Sequence, residues 1–287
     1  MKISRRKFLK FGGLGAGAVL LVSYPFFIER YIVQVNRYRI SVPRLPPVFE
    51  GFTIVHLTDP HYGFLVPLGF LEQVVSKANT IGGDLIVCTG DYVHERNGVD
   101  QIDTIWKVLG KLRAPAGVFS VLGNHDHWAD TDRSMYWLKT TGQNMRHGLK
   151  KIEKNGQELW FAGAGDLWVD HLSIDNLLQP VVKERCTIVL AHNPDSADTL
   201  IESKPDLIIS GHTHGGQVDI PFIGTPVLPV KNKNYSYGLK RSIGGIPVFI
   251  SRGIGWAICP VRFNCFPELA VLTLTGRPDG LLQRDIS

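Results

Sequence analysis

Five short apolar runs in this 287-residue chain each end in residues able to ligate a metal or move a proton. That repeated juxtaposition constrains the fold more than any other feature. Phe52–Leu57 leads into Asp59 and His61, Asp84–Thr89 into Asp91, and Gly117–Leu122 into Asn124, His125, Asp126 and His127. Cys186–Ala191 leads into His192, and Leu207–Ser210 into His212 and His214. Runs of this length and composition predict buried strands, and the amphipathic stretches Phe70–Asn79 and Gln101–Leu112 between them predict helices. A further helix is expected near Asp195–Glu202. The alternation is of the α/β kind. Because ligands in open α/β sheets bind beyond the C-terminal strand ends, the five segments are expected to deliver their polar residues to one edge.

Elsewhere, Leu149–Lys154 and Glu158–Ala164 flank Asn155-Gly156, a hairpin signal. Pro247–Ser251 and Leu269–Thr275 read as further strands. With no internal repeat and no dividing break, residues 51–287 are expected to form one domain behind a polar, Pro-containing linker at 31–50. Cys88 and Cys186 adjoin apolar runs and read as small core residues. Cys259 and Cys265 are close enough in sequence to pair outside the cytoplasm, and the lack of any C-x-x-C pair argues against a thiolate zinc site.

The polar clusters differ in strength when taken singly. Asp59-Pro60-His61 and Gly90-Asp91 could each be an ordinary polar turn. Gly123-Asn124-His125-Asp126 says more, and Gly211-His212-Thr213-His214-Gly215-Gly216 more again, since it sets two imidazoles two residues apart. In this order, D-x-H, G-D, G-N-H-D, a lone His and G-H-x-H, they resemble the signature of the calcineurin-like metallophosphoesterase superfamily. Ala191-His192-Asn193-Pro194-Asp195, Gly211–Gln217, Ser251-Arg252-Gly253 and Pro260-Val261-Arg262-Phe263 look most like its YkuE/YaeI-type branch of bacterial phosphodiesterases. The resemblance runs from about Phe52 to Leu274. It implies a β-sandwich of two mixed sheets flanked by helices, with two divalent ions (Mn, Fe or Zn) at one edge. One ion would be held by Asp59, His61, Asp91 and His214, and the other by Asp91, Asn124, His192 and His212, with Asp91 bridging.

Carboxylate, amide and imidazole donors suit borderline divalent ions. Two such ions about 3.5–4 Å apart can share a nucleophilic hydroxide and neutralise a phosphoryl group. The resemblance implies His125 as general acid and Asp126 as the carboxylate that orients its ring. His94 fits either the crevice or a solvent-facing loop, and His127 reads as peripheral. Asp166 fits either a support for the metal shell or a turn cap, and Arg262 either a phosphate contact or a surface salt bridge. The implied activity is hydrolysis of a phosphodiester, monoester or pyrophosphate in a small-molecule or lipid substrate. A membrane-associated pyrophosphatase acting on a nucleotide-linked lipid sugar is an alternative, and a non-catalytic scaffold a weaker one because every ligand is present. There is no G-x-S-x-G elbow, P-loop or H-E-x-x-H helix.

Charge bears mainly on the N-terminus. Lys+Arg number 31 against 26 Asp+Glu, and setting aside Lys2, Arg5, Arg6, Lys7 and Lys10 leaves the remainder balanced. No nucleic-acid footprint is therefore indicated. Ser4-Arg5-Arg6-Lys7-Phe8-Leu9-Lys10 resembles a twin-arginine export signal, and an uncharged run from Phe11 to Ile28 follows it. No small-residue cleavage site follows that run. Residues 1–30 are thus expected to be a twin-arginine-type signal or retained apolar anchor helix. The partners it implies are the export machinery and the membrane, with the body at the outer face of the cytoplasmic membrane.

Overall fold

The computed structural model describes residues 22–63, 65–170, 173–181, 184–199, 201–277 and the backbone of 284–285. The twin-arginine motif and all but the end of the apolar run lie outside the described residues. Residues 22–27 are helical, and among the described residues no helix is long and apolar enough to cross a membrane.

Strands β1 (Gln34–Ser41), β2 (Thr53–Leu57), β3 (Leu85–Cys88) and β4 (Val118–Ser120) belong to a first sheet, with helices α1 (Leu68–Ile81) and α2 (Val99–Leu109) between them. Helix α3 (Asn124–Thr140) leads to the hairpin β5 (Gly148–Lys154) and β6 (Gln157–Gly163), then to α4 (Ile174–Leu178), β7 (Thr187–Leu190) and β8 (Leu207–Ser210). The chain finishes through β9 (Gly238–Arg241), β10 (Pro247–Ile250), β11 (Glu268–Thr275) and β12 (Arg284–Asp285). The sheets have the orders β12-β1-β11-β2-β3-β4 and β5-β6-β7-β8-β10-β9. Strands β2, β3 and β4 are parallel to one another, as are β6, β7, β8 and β10.

The two-residue period of a strand sorts each run between two apolar layers. Leu85 and Val87 of β3, Ile188 and Leu190 of β7, and Leu207 and Ile209 of β8 fill the space between the sheets. Ile86 and Cys88 face the other way, against Leu71, Val74, Val75 and Ala78 of α1 and Ile102, Ile105 and Trp106 of α2. Val189, Ile208, Val248 and Ile250 pack outward against Ile174, Leu177 and Leu178 of α4. Strands apolar on both faces suit a parallel sheet covered on both sides. The result is two mixed sheets flanked by helices, as the resemblance implied.

Three expectations need correction. The stretch 31–50 is not a linker, because β1 lies in it, parallel to β11 and in register from Gln34↔Glu268 to Ser41↔Thr275. Its charges hide the strand: exposed Arg37 and Arg39 alternate with buried Asn36, Tyr38 and Ile40. The helix expected near Asp195–Glu202 is a single 3-10 turn, Pro194–Asp198, that ends where Thr199 turns extended. Its acids are tied elsewhere, Asp195 accepting from the amides of Lys231 and Asn232, and Asp198 from the Tyr235 hydroxyl. Finally, Arg262 makes neither a phosphate contact nor a surface salt bridge. It is fully buried and donates to the carbonyls of Arg252, Gly253, Gly255 and Cys265. All four cysteines are free thiols, with only Cys259 exposed.

Candidate metal centre

Thr58–His61 leaves β2, Thr89–Asp91 leaves β3 and Gly123 joins β4 to α3, while His192 follows β7 and 211–214 follows β8. Holding so many side chains at one point forces the backbone into sparsely populated regions. Asp59, His61, Asp91, His212 and His214 all have left-handed φ, between 46° and 68°. Each such residue costs about 1 kcal/mol or more, and persists only where its surroundings fix it. Here they do: the amide of Asp59 donates to Gly90 O and that of His61 to Asp91 O, both at 3.0 Å, which staples the β2 and β3 loops together. The motif glycines are needed for close approach. A Cβ at Gly123 would run into the Asp91 carboxylate and His192, and one at Gly211 into Asp59 and Thr58.

All seven residues expected as ligands are brought together and buried. Asp59, His61 and His214 form one group and Asp91, His192 and His212 another, the candidate ligand atoms in each lying within 4.8 Å of one another. Asp91 touches both groups, with Oδ2 3.4 Å from His61 Nε2 and 3.2 Å from His192 Nε2. Its Oδ1 accepts from the His125 amide at 2.8 Å.

Hydrogen bonds to backbone carbonyls orient two of the four rings. A carbonyl only accepts, so His192 Nδ1 donates to Thr89 O at 2.7 Å and His212 Nε2 to Pro229 O at 3.1 Å. Their other nitrogens, His192 Nε2 and His212 Nδ1, then face each other at 3.0 Å. His61 Nε2 and His214 Nε2 likewise meet at 3.0 Å. Asn124 Oδ1 is buried with no hydrogen-bond partner among the described residues. Closely paired imidazole nitrogens and an orphaned amide oxygen fit cations placed among them, and the nitrogen and oxygen donor set suits borderline divalent ions.

The electrostatics agree. Burial alone would raise Asp91, but His192, His125 and His61 outweigh it and hold the carboxyl well below its usual range. Burial likewise opposes a charge on His192, yet Asp91 and Asp59 lift it to about 10. Burial pushes His212 down to about 3, with His192 adding to the effect, and holds His61 and His214 well below an ordinary imidazole. The pocket therefore draws in positive charge while keeping most of its imidazoles as neutral donors.

Around the ligands the sequence reading is partly revised. His125 is half-buried, and its Nδ1 donates to the backbone carbonyl of His94 at 2.7 Å, which leaves Nε2 uncommitted to the backbone. Asp126 does not orient that ring. Its carboxylate accepts from the amides of Gly123, Asp91 and Tyr92 at 2.8–2.9 Å, clamping the β3 loop to the start of α3. His94 belongs to the crevice, its ring 5.3 Å from that of His125. His127 hydrogen-bonds Thr131 and approaches Asp170 at 3.5 Å. Asp166 caps a turn, its Oδ1 accepting from the amides of Trp168 and Val169. Sequence reasoning missed Trp128 and Trp168, whose rings reach His125 and His212 at 4.8 and 4.9 Å. The one available signal was that Trp128 lies four residues after Asn124, one helical turn on.

The chain matches the family described as calcineurin-like phosphoesterase over residues 52–216. It is 32% identical to YkuE, an uncharacterized metallophosphoesterase of Bacillus subtilis, over 95% of this chain and 98% of that one. It is 30% identical to the phosphodiesterase YaeI of Escherichia coli, over 95% and 99%. A dimetal phosphatase structure from Danio rerio superposes with a TM-score of 0.43 at 12% identity, covering 71% of this chain and 88% of that one. The family match takes in β2 through the His212/His214 turn, the stretch that contributes all seven candidate ligands, and the chain belongs to the calcineurin-like phosphoesterase family.

Proposed function

We propose that this chain hydrolyses phosphodiesters at the paired His/Asp groups, with Asp59, His61, Asp91 and His214 holding one divalent cation and Asp91, Asn124, His192 and His212 a second. The observation that carries this is the pair of facing imidazole nitrogens, His61–His214 and His192–His212, each beside a buried carboxylate. When bound, such cations supply charge neutralisation for the phosphoryl group and a more acidic water. The chain's own part is to place the proton. With Nδ1 committed to His94 O, His125 offers Nε2 to a leaving oxygen. Asp126 keeps that histidine in place indirectly, through the backbone it clamps.

Diesters are favoured over monoesters by the similarity to a named phosphodiesterase. The N-terminal sequence supports work at the cell envelope, since Arg5-Arg6 precedes an uncharged run with no small-residue cleavage site. The test is a panel of diester, monoester and pyrophosphate substrates, assayed with the full chain in detergent and Mn²⁺, Fe²⁺ or Zn²⁺. Metal-dependent turnover greatest on diesters is expected. Turnover on none, with any of the three metals, would sink the proposal.

A further inference from the structure

Two tryptophans stand at the mouth of the metal centre, and the phosphodiesterase reading gives them no task. Trp128 and Trp168 are stacked, with ring centroids 6.3 Å apart and planes 18° from parallel. Each also meets a histidine of the centre: Trp128 packs on His125 at 4.8 Å and Trp168 on His212 at 4.9 Å. Trp168 nonetheless remains 49% exposed, although a ring of that size is normally turned inward. The Arg96 guanidinium lies 4.5 Å from the centre of the Trp128 ring, a cation–π contact that fixes that indole from outside the stack.

The exposed ring is held rigidly. Asp166 accepts from the Trp168 amide at 2.9 Å, and the amide of Asp166 donates back to Asp170 Oδ2 at 2.9 Å. Asp170 is in turn gripped by the Arg146 guanidinium through both carboxylate oxygens. A surface loop with no partner would not need this much bracing. A preorganised aromatic face beside a reactive centre is how flat rings are recognised, because a π-face accepts any planar ring without matching its hydrogen bonds.

We infer that Trp168, backed by Trp128, is a stacking platform for a planar aromatic group carried by the phosphoester, so that substrates of the nucleotide class are preferred to those with alkyl or bare sugar arms. The inference rests on the phosphoester reading of the adjacent site. Adenosine 5′-monophosphate and ribose 5-phosphate test it, since they differ only in the flat base. With the full-length, Mn²⁺-loaded protein in detergent, calorimetry should show the adenosine compound binding roughly 5- to 100-fold more tightly, the range of one base–aromatic stack. Trp168→Leu keeps apolar bulk without the π-face and should bring the ratio close to one at unchanged manganese content. Trp168→Phe should keep most of it. Equal affinities in the parent, or a ratio that survives Trp168→Leu, would overturn the platform. If phosphoester turnover persists in that case, the platform alone has failed. If neither compound binds and no substrate turns over, the reading beneath it has failed as well.

Discussion

At the scale of single residues, Asp91 is the point on which the centre turns. Its Oδ2 lies within 3.4 Å of a histidine from each group, and its Oδ1 receives the His125 amide. Removing it takes away the carboxylate set between the imidazoles of the two groups and leaves four buried imidazoles with less negative charge to balance a cation. Asp91→Ala should therefore lose metal and activity together, and elemental analysis finding two metals per chain in the purified variant would contradict the assignment. His125 is a different case, because its Nδ1 is committed to a backbone carbonyl and the proposed ligand set leaves it out, although its ring lies with His61 and His94 in a further group of possible ligands. His125→Ala should keep its metals and lose turnover by about 10²–10⁴-fold, the usual worth of a positioned proton donor. The loss should shrink for nitrophenolate leaving groups, which depart without a proton. A loss of equal size across leaving groups of widely different basicity would remove His125 from that role.

At the scale of elements, loops fastened to strand ends set the geometry, and their fastenings are predictable in turn. The turn at 164–170 depends on Asp170, a half-buried carboxylate shared among Arg146, His127, His147 and the Asp166 amide. Burial favours its neutral form, but His127 and Arg146 outweigh that and hold its pKa far below the ordinary carboxylate range. A depressed pKa contributes stability that is present above the unfolded value, near 4, and is lost as pH falls through the folded one. Asp170→Asn should accordingly destabilise the protein at pH 7 by roughly 1–3 kcal/mol, as expected for losing charge-assisted hydrogen bonds in a part-buried ion pair. The deficit should narrow below about pH 4 in urea melts, and a deficit unchanged down to pH 3 would assign the effect to packing. Elements like this one also mark the limit of what was legible beforehand. The strands feeding the site announced themselves because each is a mostly apolar run without a charged residue, and their ligands because the motif spacing is distinctive. β1 did not, since Arg37 and Arg39 interrupt it and its pairing partner lies at the far end of the sequence. Asp126 was misread because adjacency in sequence suggested the neighbouring ring, whereas a helix N-terminus offers unpaired amides that a carboxylate at the third position can cap. Trp168 left no sequence signal, as an isolated tryptophan looks like core until the fold shows it beside His212.

At the scale of the whole molecule, both sheets end their parallel strands at one edge, and the chain emerging from the apolar run is fastened close to that edge. The carbonyl of Pro25 accepts from the Arg262 amide at 3.1 Å, and buried Glu29 accepts from the Cys265 amide at 2.8 Å. Arg30 lies over Trp256 at 4.4 Å, and the thiol of Cys265 reaches the carbonyl of His214 at 3.3 Å. Cutting the chain after Ile28 would strip Pro25 from Arg262 and leave Glu29 as a charged terminus in a buried position. An uncut leader would keep those contacts, and in the proposed envelope location it would tether the chain with the metal centre close to the tether. Positive residues before an apolar run stay on the cytoplasmic side, so the body from about Tyr31 is expected outside. Protease added to intact spheroplasts should degrade it, and Arg5→Lys with Arg6→Lys should protect it by blocking export. The protein should sediment with membranes and stay there in high salt, because apolar attachment is not screened as an electrostatic one would be. A soluble product beginning after Ile28 would remove the tether and leave export standing. A body shielded from protease in the parent would remove both, and would put the catalytic edge on the cytoplasmic face, where nucleotide-linked substrates are made.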